Sequence, residues 1–228
     1  MKILAIGAHP DDIEFGCAPA LMKEIRRGNE ARMIVLSRGE AGSAGTPEIR
    51  QAESRQAARL IGASIDFWDF GGDCNLQHFA ANSIKIAAEI RNYRPEIVLA
   101  PDPEENQHPD HAAAGKLARD ACRFARYGGL LRDLPAHRIT ALYFYTITRH
   151  TAWSPDLVID IGEVIRDWEA VMRCHATQIA SKNYLDLQLT SARVLGLSAG
   201  VEYAIGFKVN DPIRIDFLSD LTRSSRSF

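Results

Sequence analysis

Two short segments of the chain place histidine and aspartate side chains at spacings that suit a metal ion. Residues 9–12 are His-Pro-Asp-Asp and residues 108–111 are His-Pro-Asp-His. Proline is favoured in the first turn of a helix, and residues three apart in a helical turn share one face. An imidazole and a carboxylate on one face make two thirds of a catalytic zinc site, and the second segment can supply the missing ligand. Either segment alone would also suit a hydrated surface loop.

Both segments follow an apolar run that predicts a buried strand. The first run covers residues 3–8 and the second covers residues 97–100. Because predicted strands alternate with predicted helices, we expect an α/β fold: a Rossmann-like, doubly wound, mostly parallel sheet with helices on both faces. With strand order 3-2-1-4-5, the strands before the two segments are neighbours where the order reverses. Such sheets bind ligands at that point, outside the carboxyl ends of the strands.

The last third of the chain gives weaker signals. A helix is predicted over about residues 163–178, within which His175 is expected to be a structural histidine. From residue 192 onward the pattern is mixed, and residues 213–217 are the only late strand candidate. We expect a single domain over residues 1–228, with a smaller appended segment from about residue 185.

Composition argues against several classes of protein. The chain has 228 residues, of which 46% are hydrophobic, and a formal net charge of −2. The lack of a basic stripe argues against a nucleic-acid partner. No apolar run approaches the roughly 20 residues that a membrane span needs, and the short N-terminal run does not resemble a signal peptide. The four cysteines lie far apart without C-x-x-C spacing, which favours free thiols in a cytoplasmic protein.

A dinucleotide-binding site is the main alternative for a sheet of this kind. The turn after the first strand contains Gly7 and Gly16 but lacks the G-x-G-x-x-G pattern. Asp11, Asp12 and Glu14 would also place negative charge where a pyrophosphate should lie. The sequence therefore disfavours this interpretation.

With these motifs the chain resembles the PIG-L/LmbE-like family of zinc-dependent sugar N-deacetylases. The resemblance rests on the two His-Pro-Asp segments and continues through residues 37–42 (Ser-Arg-Gly-Glu-Ala-Gly), Gly45, Thr46, Arg50 and Glu53. A second set looks like the C-terminal signature of the bacillithiol-pathway branch, and it consists of Arg193, residues 200–204 and Phe207. That branch removes acetate from N-acetylglucosaminyl malate.

Chemistry and the resemblance assign the same roles to five of the site residues. His9, Asp12 and His111 would hold one zinc ion and leave a coordination position for water, and Fe(II) or Co(II) would be acceptable substitutes. Asp11 would act as the general base that takes a proton from this water. His108, if protonated, would stabilise the oxyanion and donate a proton to the departing amine.

The remaining candidate residues each have two interpretations. Asp110 would either orient His108 or offset the dipole of the following helix. Arg50 and Asp73 match positions that contact the sugar in the family, but a helix-surface arginine and a turn aspartate would look the same. Some family members carry a tyrosine at the position of Asn106.

The resemblance implies a small N-acetylated sugar conjugate as substrate and a homo-oligomer, a hexamer, as the assembly. Chitobiose, inositol and antibiotic conjugates are alternative substrates to the malate conjugate. More remote alternatives are a metal-dependent phosphoesterase, which often needs two metals, and a non-catalytic module that binds a metal or a sugar. No cysteine falls within either segment, which favours an open catalytic metal site over a closed structural one.

Overall fold

The computed structural model describes residues 1–104, 107–148, 153–217 and 224. The strands are β1 (Lys2–Gly7), β2 (Glu30–Val35), β3 (Ser64–Phe67), β4 (Ile97–Pro101), β5 (Ala141–Tyr145), β6 (Leu157–Asp160) and β7 (Ala204–Val209). The α-helices are α1 (Asp12–Gly16), α2 (Ala18–Arg26), α3 (Pro47–Ile61), α4 (Ala80–Tyr93), α5 (Pro109–Ala125), α6 (Ile165–Arg173), α7 (Ala176–Ser181) and α8 (Tyr184–Ser198).

The strands form one sheet in the order β3-β2-β1-β4-β5-β7-β6. Strands β1 to β5 are parallel, whereas β7 runs antiparallel to both of its neighbours, β5 and β6. Ile3 is in register with Ala31 of β2 on one side and with Ile97 of β4 on the other. The predicted α/β class and the 3-2-1-4-5 order are therefore confirmed, and the carboxyl ends of β1 and β4 lie side by side.

The helices cover both faces of the sheet. One buried core packs α4 and α5 against the sheet, and α3 and α6 contact each other on the opposite face. On that face Trp168 of α6 is 1% exposed, and its Nε1 donates a hydrogen bond to the Glu14 carbonyl oxygen at 2.8 Å. This bond satisfies the one polar group of a large buried side chain and fixes α6 against α1.

The C-terminal part of the chain differs from the sequence prediction. The predicted helix over residues 163–178 is two helices, α6 and α7. Residues 213–217 form no strand; the late strand is β7, which lies inside the sheet between β5 and β6. The part of the chain from residue 185 onward, expected to be an appended segment, supplies most of α8 and this interior strand.

Two further features concern the surface and the thiols. Among the described residues, no helix combines the length and the apolar character needed to cross a bilayer. The four cysteines are free thiols, and Cys74 is the exposed one.

Candidate active site

The two His-Pro-Asp segments meet above the carboxyl ends of β1 and β4. Pro109 occupies the first turn of α5, and Asp12 begins α1. A cavity of about 390 Å³ opens at this edge of the sheet. Seven of the eight predicted site residues line it, and they are His9, Asp11, Asp12, Arg50, Asp73, His108 and His111. The eighth, Asp110, is buried directly behind His9. The structure thus brings together all the site residues named from sequence.

His9, Asp12 and His111 form a buried cluster whose ligand atoms all lie within 4.8 Å of one another. Nε2 of His111 is 3.2 Å from Asp12 Oδ1, and Nδ1 of His9 is 3.6 Å from Asp12 Oδ2. Burial acts to raise the pKa of Asp12, but the two histidines hold it well below its usual range. Two imidazoles and an ionised carboxylate are a suitable donor set for a divalent metal with open coordination positions. The three residues therefore fit a catalytic metal ion.

Backbone amides fix the orientation of the Asp12 carboxylate. The amides of Ala8 and His9 both donate to Asp12 Oδ2 at 2.8 Å. Because Oδ2 accepts these two bonds, Oδ1 is the oxygen left on the side of His111. A short turn between β1 and α1 thus positions a ligand without help from distant residues.

Two carboxylates hold His9 from the side opposite Asp12. Nε2 of His9 is 3.0 Å from Asp73 Oδ1 and 3.2 Å from Asp110 Oδ2. A proton on Nε2 satisfies these acceptors and leaves Nδ1 free as a metal ligand, the arrangement that metal-binding histidines commonly show. The sequence left open whether Asp110 orients His108 or offsets the helix dipole, and whether Asp73 contacts the sugar or is a turn residue. In the structure both carboxylates contact His9.

His108 is held in one tautomer by the backbone of α5. The amide of Asp110 donates to Nδ1 of His108 at 3.2 Å, so in the neutral ring the proton resides on Nε2. Burial lowers the pKa of His108. The sequence considered His108 as a protonated acid. The geometry instead presents a neutral ring whose Nε2–H can donate a hydrogen bond.

Asp11 has a strained backbone and an ionised partner. Its φ of 121° lies in a region that non-glycine residues rarely adopt, and such strain is concentrated at functional sites. Burial raises the pKa of Asp11 to about 6, and the adjacent Asp12 charge contributes to this rise. Arg50 opposes the rise, with its Nη2 3.3 Å from Asp11 Oδ2. A carboxylate with this pKa is suited to accept and return a proton near neutral pH.

Arg50 is buried against the loop of residues 37–45, which contains three glycines, rather than on a helix surface. Only 5% of the residue is exposed, and its guanidinium donates to the carbonyl oxygens of Pro10 (2.9 Å) and Gly39 (3.2 Å) as well as to Asp11. Gly39 has φ of +73°, and a Cβ there would lie 2.3 Å from Arg50 Nη1. The loop can therefore wrap this side chain because it contains glycine.

A second buried pair, Glu14 and His175, lies on the far side of Asp11. Both residues are fully buried, and His175 Nε2 is 3.3 Å from Glu14 Oε1. Burial alone would lower the pKa of His175, but the Glu14 carboxylate raises it. His175, which was expected to be a structural histidine, therefore pairs with Glu14, and the sequence pattern did not indicate this partner. Asn106 lies outside the described residues.

Sequence reasoning missed the outer wall of the cavity. Gln178 of α7, Lys182 of the following link, and Tyr184 and Gln188 of α8 all line it. The apolar residues of 184–198 are spread around α8, so their helical periodicity is weak. The available signal was the N-cap residue Asn183, whose side chain accepts from the Asp186 amide. The C-terminal part thus completes a site whose reactive groups come from the first half of the chain.

Comparisons with known proteins point to one family. Residues 4–122 match the family described as GlcNAc-PI de-N-acetylase, PIG-L. The chain is 30% identical to diacetylchitobiose deacetylase of Thermococcus kodakarensis over 91% of this chain and 82% of that protein. It is 27% identical to 4-oxalmesaconate hydratase of Pseudomonas putida over 77% of this chain and 73% of that protein.

Two further similarities are relevant to the fold and the substrate. The fold matches a conserved protein from Thermus thermophilus with a TM-score of 0.85 and 29% identity, covering 97% of this chain and 99% of that one. A probable N-acetyl-α-D-glucosaminyl L-malate deacetylase of Bacillus anthracis is 23% identical over 79% of this chain and 82% of that protein.

Proposed function

The chain belongs to the PIG-L family of metal-dependent deacetylases, and from this we propose that it removes the N-acetyl group from a small N-acetylglucosaminyl conjugate. As a member of this family it is a hydrolase. The observation that carries the proposal is the buried His9, Asp12 and His111 cluster, with Asp11 beside it in an open cavity. We propose zinc as the metal, with Fe(II) or Co(II) as substitutes that the same ligands accept.

His9, Asp12 and His111 would hold the metal. When bound, a divalent metal activates water as a nucleophile and polarises a carbonyl oxygen. Asp11 accepts the proton of the attacking water, because its carboxylate is ionised above a pKa of about 6. Nε2–H of His108 donates a hydrogen bond to the carbonyl oxygen as negative charge develops there. When the C–N bond breaks, the proton held by Asp11 passes to the departing nitrogen, which leaves acetate and a free amine.

We propose N-acetylglucosaminyl malate as the substrate, with diacetylchitobiose as the alternative. The malate conjugate is supported by the C-terminal residues that resemble the bacillithiol branch and by the relative from B. anthracis. Diacetylchitobiose is supported by the relative from T. kodakarensis, which has the higher identity. The comparisons favour an amide bond over the phosphoester considered from sequence alone.

An amine-release assay tests this proposal. The zinc-loaded protein would be incubated with N-acetylglucosaminyl malate, diacetylchitobiose, an N-acetylglucosaminyl inositol and free N-acetylglucosamine. We expect amine release, with the malate conjugate cleaved fastest and Asp11→Asn as the inactive control. Absence of amine release from every conjugate by zinc-loaded protein would contradict the proposed function.

A second candidate reaction is hydration of a carbon–carbon double bond. It is favoured by the similarity to 4-oxalmesaconate hydratase over 77% of the chain. Loss of the ultraviolet absorbance of 4-oxalmesaconate on incubation, without activity on any N-acetylated sugar, would favour this reaction over deacetylation.

We propose a homo-oligomer, specifically a hexamer, in the cytoplasm. Light scattering coupled to size-exclusion chromatography measures the mass of the assembly, and a mass of one 25.3 kDa chain would contradict this proposal.

A further inference from the structure

Arg50, which the sequence analysis considered as a contact of the sugar, forms its hydrogen bonds with other groups of the protein. Arg50 lines the cavity, but it donates to Pro10, Gly39 and Asp11, and its side chain is only 6% exposed. These three partners use Nη1 and Nη2, and Nε, which has no hydrogen-bond partner among the described residues, is itself buried. Recognition of an anionic group of a ligand therefore requires another residue of the cavity wall.

Besides Arg50, Lys182 is the one lysine or arginine that lines this cavity among the described residues. It lies between α7 and α8, and its side chain is exposed. Its backbone is fixed on both sides, because its amide donates to the Gln178 carbonyl oxygen at 3.3 Å and its carbonyl oxygen accepts from the Tyr184 amide. Within residues 1–104, 107–148 and 153–217, no carboxylate pairs with its ammonium group within 4.0 Å.

The ring of Tyr184 orients the Lys182 side chain. Nζ of Lys182 lies 5.2 Å from the centroid of this ring, within the range of a cation–π contact. The ring itself packs on Phe15, with centroids 5.9 Å apart. The ammonium group is therefore held at the cavity wall while it remains able to bind a ligand.

The carboxylates of the cavity already have partners. Asp12 contacts His9 and His111, Asp73 contacts His9, and Asp11 contacts Arg50. The charge of Lys182 is not neutralised by any of them, and an unpaired cation in the wall of a cavity favours an anionic ligand.

We propose that Lys182 is a specificity-determining residue that binds a carboxylate on the aglycone of the sugar conjugate. This inference rests on the proposed deacetylase function and names the substrate class: N-acetylglucosaminyl conjugates with an acidic aglycone. The amide is cleaved at the metal cluster, and the acid is bound at the part of the cavity wall that the C-terminal residues supply. Neutral conjugates such as diacetylchitobiose lack the group that Lys182 binds.

Two substrates that differ only in charge test this inference. N-acetylglucosaminyl malate would be compared with its dimethyl ester, which keeps the shape of the diacid but carries no charge. The measured quantity is the ratio of kcat/KM for the diacid to kcat/KM for the diester. In Lys182→Gln we expect this ratio to fall about tenfold, as one charge-assisted hydrogen bond at a partly exposed site would give, through a higher KM for the diacid. Lys182→Arg keeps the charge and should largely restore the ratio.

Lys116→Gln is the matched control, because Lys116 is an exposed lysine of α5 that does not line the cavity. It should leave the ratio at the wild-type value. If Lys182→Gln cleaves both substrates with an unchanged ratio, the role of Lys182 is refuted while the deacetylase function stands. If wild-type protein cleaves neither the diacid, the diester nor diacetylchitobiose, the proposed function itself fails, and the inference fails with it.

Discussion

Replacing Asp110 with asparagine tests which histidine its carboxylate supports. Asp110 Oδ2 lies 3.2 Å from His9 Nε2 and also accepts from the Cys74 amide at 2.7 Å. Loss of a carboxylate behind a metal-binding histidine typically weakens metal affinity by about 10- to 100-fold. Since Asp73 remains 3.0 Å from the same nitrogen, we expect the lower end of this range, about tenfold or about 1.4 kcal/mol. The double variant with Asp73→Asn should approach the upper end.

Competition with a chromophoric chelator measures the zinc affinity, and turnover is then measured at saturating zinc. If Asp110 acts through His9, kcat recovers to within a few-fold of wild type once zinc saturates the site. Asp120→Asn is the control. Asp120 lies on the same helix as Asp110, and its Oδ2 is 2.7 Å from Nε2 of His78, so this variant also removes a carboxylate from a histidine, but outside the cavity. Unchanged zinc affinity together with a lower kcat in Asp110→Asn would refute this reasoning. That result would indicate that Asp110 orients His108 instead of supporting His9.

The geometry around Asp11 and α5 gives four further predictions. Asp11→Asn should retain the metal, which elemental analysis measures. Its kcat should be lower by about a hundredfold or more, because the side-chain amide cannot accept a proton. Near-normal turnover would mean that Asp11 has a structural role and is not the base. The kcat/KM of wild type should decline as pH falls through about 6, since Asp11 must be ionised to act as base. In Arg50→Gln this decline of kcat/KM should occur at a pH about one unit higher, because the arginine charge lowers the pKa of Asp11 in the wild type. A decline at the same pH would mean that another group controls it. Gly115→Ala should destabilise the fold by about 1–3 kcal/mol, seen as a lower Tm, because a Cβ there would lie 2.3 Å from the Pro101 carbonyl oxygen. An unchanged Tm would mean that α5 moves to accommodate the methyl group without a loss of folding free energy.

The location of the site was predictable because its signals are local. The strand before His9, the strand before His108 and the proline that begins α5 are all local signals in the sequence. Pro10, by contrast, lies in a turn before α1, which begins at Asp12, so the helical turn expected over residues 9–12 is not formed. The strand order then brings the two turns together. By contrast, the contact of Asp110 with His9 spans 101 residues, and no local pattern indicates which of two nearby rings a carboxylate will face.

The late strand was missed for a different physical reason. Residues 204–209 contain Gly206, which weakens a strand pattern, yet this glycine is required by packing. A Cβ at Gly206 would lie 2.6 Å from the Pro155 side chain. Residues 213–217 alternate apolar and polar side chains but have no strand partner among the residues that the structure describes. Alternation indicates which segments suit a strand, whereas pairing is decided by the neighbours available in the sheet.

The interior position of β7 determines when during synthesis the enzyme becomes complete. Among the described strands, β6 pairs with β7 alone, so it must wait for a partner that emerges 44 residues after its own last residue. Lys208 of β7 also pairs with Asp102 at 2.7 Å, at the end of the strand that leads to His108. Because a domain generally folds as a unit, the sheet that positions the metal ligands is complete only after β7 has emerged. A chain released before residue 204 would carry every reactive group and still lack the strand that closes the fold around them.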